Sequence, residues 1–440
     1  MTTTEVGLDP AALADLLQAP LDDTTKGVPL GVRTTLAEVA AHRWNVAAGD
    51  LALPVTTLYA DALESNLETM AEYCRRNGAS FAPHGKTTMA PQLFDRQLRA
   101  GAWGLTCATP SQAAVQRHFG AQRIVVANEI TEPSAWAWVV GELDRDPGLE
   151  LLSLVDSVGG VAVVDGILAG LAPTRPVDVL LEIGVPGGRA GVRSVEDGVA
   201  VARAVAASPY LRLVGVEAYE GLVTGGDASE DLAALDDFFA RFRRTTTAIG
   251  QAGLFDGNEV IVTAGGSSYF DRVVANLSQW ELDRPVRLVL RSGCYLSHDA
   301  GKYEHLSPLA GRAPDGEPLR LRNALTAWAA VLSTPEPGLA ILGTGKRDVA
   351  HDLSLPVPRT RFRASASAPV VLDVLDVRGQ AETVKLMDQH AFLRIGELDI
   401  RPGDVIALDL SHPCTAFDKV AFVPIVDRDH VVVDAVRTFF

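Results

Sequence analysis

Cysteine is scarce in this chain, with four in 440 residues: Cys74, Cys107, Cys294 and Cys414. They lie far apart and form no CxxC pair, which excludes a disulfide framework and suits a reducing compartment. Long apolar runs are also missing. Stretches such as Leu151–Val155 and Val161–Val164 fall far short of membrane-spanning length. No basic stripe is present, and 39 Lys and Arg against 55 Asp and Glu leave a formal net charge of −16. Nucleic acid and anionic membrane are therefore poor partners. The opening MTTTEVGLDPAALADLL lacks a basic region followed by an apolar core, so no signal peptide is read there. These absences point to a soluble, acidic, cytoplasmic protein.

A chain of 440 residues exceeds one small core, so two domains or a large barrel with an addition is expected. From about residue 52, apolar strands alternate with helical stretches. LPVTTLY, SFAPH, WGLTCAT, RIVVANEI, LLSLVDS, VDVLLEIG, LRLVGVEAYEG and NEVIVTAGG are read as eight strands, seven of them followed by helix-like segments. Strict alternation with Val/Ile/Leu-rich strands indicates parallel βα units. About eight units over about 250 residues fit a TIM-type (β/α)8 barrel, although an open sheet has the same pattern. After about residue 300, short β-rich segments punctuated by Gly, Pro and Asp indicate an all-β domain. The reading is an N-terminal segment over 1–51, an α/β barrel over 52–300 and a β domain over 301–440.

In a barrel, functional groups collect where strands end. PHGKT, EIGVPGGRAGV, EAYEG, TAGGSS and RSGCYLSHD all fall at such places. Within FAPHGKTTMAP (81–91), Lys86 is held in a short, stiff setting beside Thr87 and Thr88. A lysine kept from full solvation loses its proton more easily and can form an imine with an aldehyde. A lysine ion-paired at the barrel rim is the plainer reading. TAGGSS offers adjacent backbone N–H groups and two hydroxyls, the makings of a phosphate cradle; a plain turn has the same composition. In SHPCTAFD, Pro413 biases His412 towards extended backbone, and in an extended chain His412 and Cys414 project from one face. Imidazole and thiolate on one face are half of a zinc site. A buried cysteine beside an incidental histidine is the alternative. A two-ligand site keeps open positions, which suits catalysis.

PHGKT, EIGVPGGRAGV, EAYEG, AGGSS, the tyrosine of RSGCYLSHD and the late HPC occur in this order in a known family. The sequence resembles the D-threonine aldolase and D-serine dehydratase family, pyridoxal-phosphate enzymes with the alanine-racemase-like fold. It is most similar to bacterial members described as D-serine or amino acid deaminases, a subgroup that DDTTKGVP also resembles. The resemblance runs from about residue 20 to the end. It implies that Lys86 carries pyridoxal 5'-phosphate, with His84 in the same motif. It places Arg189 near the cofactor's ring oxygen and Tyr219 beside the cofactor. Gly265, Gly266, Ser267 and Ser268 match the phosphate stretch, Tyr295 matches a tyrosine that reaches the phosphate, and His412 and Cys414 match the metal pair. The chain departs from the family where PHGKTTMAP replaces PH-x-KTHK and where AGGSS replaces a glycine-threonine-proline run. The resemblance also implies a homodimer and an N-terminal segment that joins the β domain.

A metal beside the substrate implies an oxygen worth polarising. Zinc eases expulsion of a β-hydroxyl by Lewis-acid stabilisation, and a cysteine ligand favours zinc over a harder ion. The expected activity is therefore α,β-elimination of D-serine or a related β-hydroxy D-amino acid to a 2-keto acid and ammonia. The alternatives are aldolase cleavage to glycine and an aldehyde, or cofactor binding without turnover.

Overall fold

A computed structural model describes residues 7–223, 228–365 and 372–440. Residues 1–6, the opening of the N-terminal segment read as 1–51, lie outside the described residues. The chain divides into two compact units. One comprises Met70–Lys86 and Gln97–Gly293, the other Asp9–Thr69, Thr87–Arg96 and Cys294–Phe440.

The first strand of the chain's α/β pattern, β1 (Val55–Tyr59), belongs to the second unit. The first unit is built on β2 (Ser80–Phe81), β3 (Leu105–Cys107), β4 (Arg123–Glu129) and β5 (Glu150–Val155). It continues with β6 (Val177–Glu182), β7 (Leu211–Glu217), β8 (Val260–Ala264) and β9 (Val286–Leu290). These eight form one sheet in the order β2-β9-β8-β7-β6-β5-β4-β3, with every pairing parallel. The two ends meet through a parallel bridge between His84 and Thr106. The Trp103 N–H also donates to the Phe81 carbonyl at 2.6 Å, and the Thr106 N–H to that of Pro83 at 3.0 Å. The sheet is thus a closed barrel, with no unpaired edge.

Local chemistry sets the helix starts. Thr109, Ser157 and Ser194 each accept the N–H three residues on, capping the following helix, and Pro110 pre-sets the first helical φ. Inside the barrel, Ala82, Val125, Leu152, Leu154, Leu180, Val214, Ile261 and Val289 form one apolar cluster. That is the packed layer a barrel of this size requires.

The second unit is built on a ten-stranded, mainly antiparallel sheet. Here the structure departs from the sequence reading. LPVTTLY is not the first barrel strand, because β1 pairs antiparallel with β10 (Leu325–Glu336) and parallel with Phe422–Val426. The eighth barrel strand is VRLVL, β9. Four of the five β1 residues are buried, and a strand covered on both faces looks the same in either kind of sheet. Trp328 fixes the register, its indole N–H donating to Thr57 Oγ1 at 2.8 Å. The barrel boundaries read as 52 and 300 shift accordingly, and Thr87–Arg96 joins the β unit as an excursion from the barrel segment. Among the described residues, no helix is long and apolar enough to cross a membrane.

Candidate active site

Barrel strands turn alternate side chains inward, so residues two beyond the apolar layer extend it towards the C-terminal mouth. Ala82, Leu180 and Val289 belong to that layer; two positions on stand His84, Glu182 and Arg291. Glu217 stands opposite Glu182 on the neighbouring strand. A polar layer therefore caps the apolar one. Arg291 is ion-paired with Glu217 and donates to the Ala218 carbonyl at 3.0 Å. Glu182 donates a hydrogen bond to Glu129. Burial pushes the Glu182 carboxyl up to about 9, helped by the charges of Glu217 and Glu129. At neutral pH Glu182 thus keeps its proton. Burial, with Lys86, Arg291 and Arg189 nearby, depresses His84 well below the usual imidazole range, so its ring is neutral.

Four buried polar atoms of this layer have no protein partner: His84 Nδ1, Glu129 Oε1, Glu217 Oε2 and Arg291 Nε. Buried polar atoms are nearly always paired, so these mark where a polar ligand is received. Lys86 stands in the 3-10 turn Gly85–Thr87, just past the bridge residue His84, and is half-buried. The Arg189 guanidinium lies over the Tyr219 ring, 4.9 Å from its centroid. The TAGGSS turn follows β8. Gly265 has φ +119°, a conformation only glycine adopts readily, and a Cβ on Gly266 would lie 3.0 Å from the Tyr219 ring. The N–H groups of Gly265 and Gly266 donate to the Glu220 carboxylate at 3.1 and 2.6 Å. Those two amides thus serve the Glu220 carboxylate, and Ser267 and Ser268 complete the turn. Ser292 Oγ ties the turn to the strand after it, donating to the Gly266 carbonyl at 2.7 Å. Lysine, neutral histidine, arginine, an aromatic face and a glycine turn on one barrel fit pyridoxal phosphate.

In the second unit, His412 and Cys414 are together, but not by extended geometry. His412 has φ +67°, Pro413 is helical, and Cys414 opens the short helix Cys414–Phe417. Asp299 accounts for the unusual backbone. Its carboxylate accepts the His412 N–H at 2.9 Å and the N–H groups of Gly301 and Tyr303 at 3.1 and 2.9 Å. A left-handed non-glycine residue persists only where its surroundings over-determine it, and this carboxylate does so. His412 Nδ1 is bonded to Asp352, and Thr415 Oγ1 donates to the other Asp352 oxygen at 2.6 Å. A hydrogen bond and charge from Cys414, with Asp352 adding, hold His412 up to about 9. Hydrogen bonds from Cys294, His412 and Thr87 hold the Cys414 thiol well below its usual range against the effect of burial. Cys294 Sγ lies 3.5 Å and Thr87 Oγ1 3.3 Å from Cys414 Sγ.

A carboxylate on Nδ1 is how proteins orient a metal-binding imidazole, leaving Nε2 for the ion. That pairing and the adjacent thiolate fit zinc. Among the described residues, no group of three or more His, Cys, Asp or Glu is disposed to enclose a metal ion. Tyr295 is 3% exposed within this unit.

Sequence reasoning missed several groups. Asp352 lies 60 residues from His412 in an unremarkable loop. Cys294, Asp299 and Arg291 were inside RSGCYLSHD, and Glu182, Glu217 and Glu220 inside quoted motifs. Their signal was a charged or thiol side chain at the end of an apolar strand.

A closed parallel barrel carrying this lysine, with an antiparallel β unit, is the alanine-racemase-like class of fold. Residues 58–285 match the family model described as "Alanine racemase, N-terminal domain", and residues 324–426 match "Putative serine dehydratase domain". The first match spans more than half of the chain, and the chain belongs to this family of pyridoxal-phosphate enzymes. The chain is 29% identical to a 3-hydroxy-D-aspartate aldolase of Paracoccus denitrificans (strain Pd 1222), covering 70% of this chain and 75% of the relative. It is 26% identical to a D-threonine aldolase of Arthrobacter sp, covering 67% and 71%. Among solved structures, D-threonine aldolase from Filomicrobium marinum aligns with TM-score 0.72 at 24% identity, covering 88% of this chain and 95% of that one. D-threo-3-hydroxyaspartate dehydratase from Delftia sp. HT23 aligns with TM-score 0.68 at 20% identity, covering 88% and 97%.

Proposed function

We propose that the protein is a pyridoxal-phosphate- and zinc-dependent lyase that eliminates water from D-serine or a related β-hydroxy D-amino acid, giving a 2-keto acid and ammonia. The observation that carries this reading is the Asp352–His412–Cys414 arrangement. Its thiolate lies 3.3 Å from Thr87 Oγ1, and Thr87 follows Lys86 directly in the chain. Bound pyridoxal phosphate supplies an electron sink for the bonds at the substrate's Cα. Zinc on His412 and Cys414 supplies a Lewis acid for the departing β-hydroxyl. Lys86 would hold the cofactor through its amine, and the same Nζ would serve as the base for the proton on Cα. Arg189 and Tyr219 would flank the cofactor ring, Ser267 and Ser268 would receive its phosphate, and neutral His84 would offer Nδ1 to the ligand without adding charge.

The second reading, aldol cleavage, is favoured by the curated relatives, which are named as aldolases of 3-hydroxy-D-aspartate and D-threonine. It needs the same lysine and metal pair but a base on the β-hydroxyl proton. The cysteine ligand supports elimination, since a thiolate favours zinc over the harder ions a carboxylate suits. Incubation with D-serine, D-threonine and 3-hydroxy-D-aspartate decides between the two. Keto acid with ammonia supports the lyase; glycine with an aldehyde overturns it.

A further inference from the structure

Cys294 and Cys414 are 120 positions apart in sequence, yet their sulfurs lie 3.5 Å apart, with the Thr87 hydroxyl 3.9 Å from one and 3.3 Å from the other. Neither is disulfide-bonded. From this geometry we infer that the two thiols form an oxidation site, in which a peroxide-class oxidant joins them reversibly as a disulfide.

The segments bearing the two sulfurs are tied together. Asp299, five residues after Cys294, accepts the Ser411 hydroxyl at 3.3 Å and the His412 N–H at 2.9 Å. The Cys294 carbonyl accepts the His298 N–H at 2.8 Å, which fixes the turn leading to Asp299. The sulfurs are thus held close before any reaction, and such placement converts a slow encounter into a fast intramolecular step. Closing from 3.5 Å to the roughly 2.05 Å of a disulfide needs only a small movement.

Access is divided between them. Cys414 is partly exposed, whereas Cys294 is 4% exposed. Cys414 is therefore the sulfur that meets the oxidant, and Cys294 the one that resolves it. In the first step the Cys414 sulfur attacks a peroxide oxygen. An S–O bond forms, the O–O bond breaks, and the departing hydroxide takes the thiol's proton to become water. In the second step Cys294 attacks the Cys414 sulfur. An S–S bond forms, the S–O bond breaks, and the hydroxide leaves as a second water with the proton of Cys294. Two thiols are oxidised by two electrons and one peroxide is reduced. Cys74 and Cys107 serve as internal controls. Both are buried, and burial alone pushes the Cys74 thiol up to about 12 and is the main cause raising Cys107, which makes them poor nucleophiles.

The site stands whatever the reaction proves to be. If the metal reading holds, the bond also removes a ligand, so oxidation should silence the enzyme. The test is graded hydrogen peroxide on the purified enzyme, alkylation of remaining thiols, and peptide mapping without reductant. The expected result is loss of two thiols per chain and a Cys294–Cys414 cross-linked peptide, with Cys74 and Cys107 still alkylated. Dithiothreitol should reverse both the cross-link and any loss of turnover. In Cys294→Ser, Cys414 should instead progress to sulfinic acid, which dithiothreitol does not reverse. Oxidation of Cys414 in the wild type with Cys294 still alkylated would overturn the inference, and that result needs neither activity nor a folded variant.

Discussion

Glu182 and Glu217 stand side by side on neighbouring strands of the barrel, in parallel register, and both are nearly fully buried. Two adjacent buried carboxylates cannot both ionise cheaply. Arg291 neutralises Glu217, while Glu182 keeps a proton shared with Glu129. That layer of the barrel thereby holds one ion pair and one protonated carboxyl.

A pH dependence follows from that proton. Because the folded-state value of Glu182 is raised, to about 9, its contribution to stability is full at low pH. It is lost progressively as pH rises towards that value. For one proton the slope is at most about 1.4 kcal/mol per pH unit. Glu182→Gln keeps a neutral hydrogen-bonding group in place. Denaturant melts between about pH 6 and about pH 8 should show the variant gaining on the wild type as pH rises; parallel curves would show that Glu182 is ionised.

Gly265, with φ +119°, supplies a second test. A Cβ there meets no atom closer than 3.4 Å, so Gly265→Ala is strained through its backbone, by about 1–3 kcal/mol. Gly266 has no such φ, and a Cβ there meets side chains only, the Tyr219 ring at 3.0 Å and Glu220 Oε1 at 3.3 Å. Gly265→Ala should be the more destabilised of the two in equilibrium unfolding, and the reverse order would mean that the turn is built differently.

Much of this was legible in the sequence, for identifiable reasons. Barrel strands announce themselves by buried apolar runs, and Lys86, Tyr219 and the TAGGSS turn sit where such runs end. Strand direction does not show in side chains, which is why β1 was assigned to the barrel although it pairs with Trp328 and its neighbours. The conformation of His412 was misread because the residue before a proline is normally extended, and the group overriding that preference, Asp299, lies 113 positions away. Asp352 could not be found by spacing at all, since only the fold brings it to the imidazole.

Asp352 should therefore matter to the metal more than to the cofactor. Asp352→Ala frees His412 to rotate, and loss of an orienting carboxylate typically lowers metal affinity about 10–100-fold. Competition with a coloured chelator should show that drop, while the visible absorbance of lysine-bound cofactor stays unchanged. Unaltered zinc affinity would remove Asp352 from the site.

Lys86 should carry the cofactor. Borohydride reduction and peptide mapping should place the label on Lys86, and a label on any other lysine refutes the assignment. Lys86→Ala should lower turnover by at least about 10²–10⁴-fold, the contribution of a positioned base alone.

The role of the metal is tested by the choice of leaving group. Hydroxide is a poor leaving group and gains from a Lewis acid at its oxygen, whereas chloride departs without such help. Chelation should therefore stop breakdown of D-serine, leave the cofactor bound and the fold intact, and be reversed by added Zn²⁺. β-Chloro-D-alanine should still be eliminated by the metal-free protein, because Lys86 Nζ can take the α-proton without the metal. Cys414→Ser should behave like the chelated enzyme, losing metal and D-serine turnover while retaining the cofactor, since His412 and Asp352 remain but the soft thiolate ligand is gone. If chelation abolished both substrates equally, the metal would be a structural element of the β unit, and the assignment of His412 and Cys414 to the leaving group would fall.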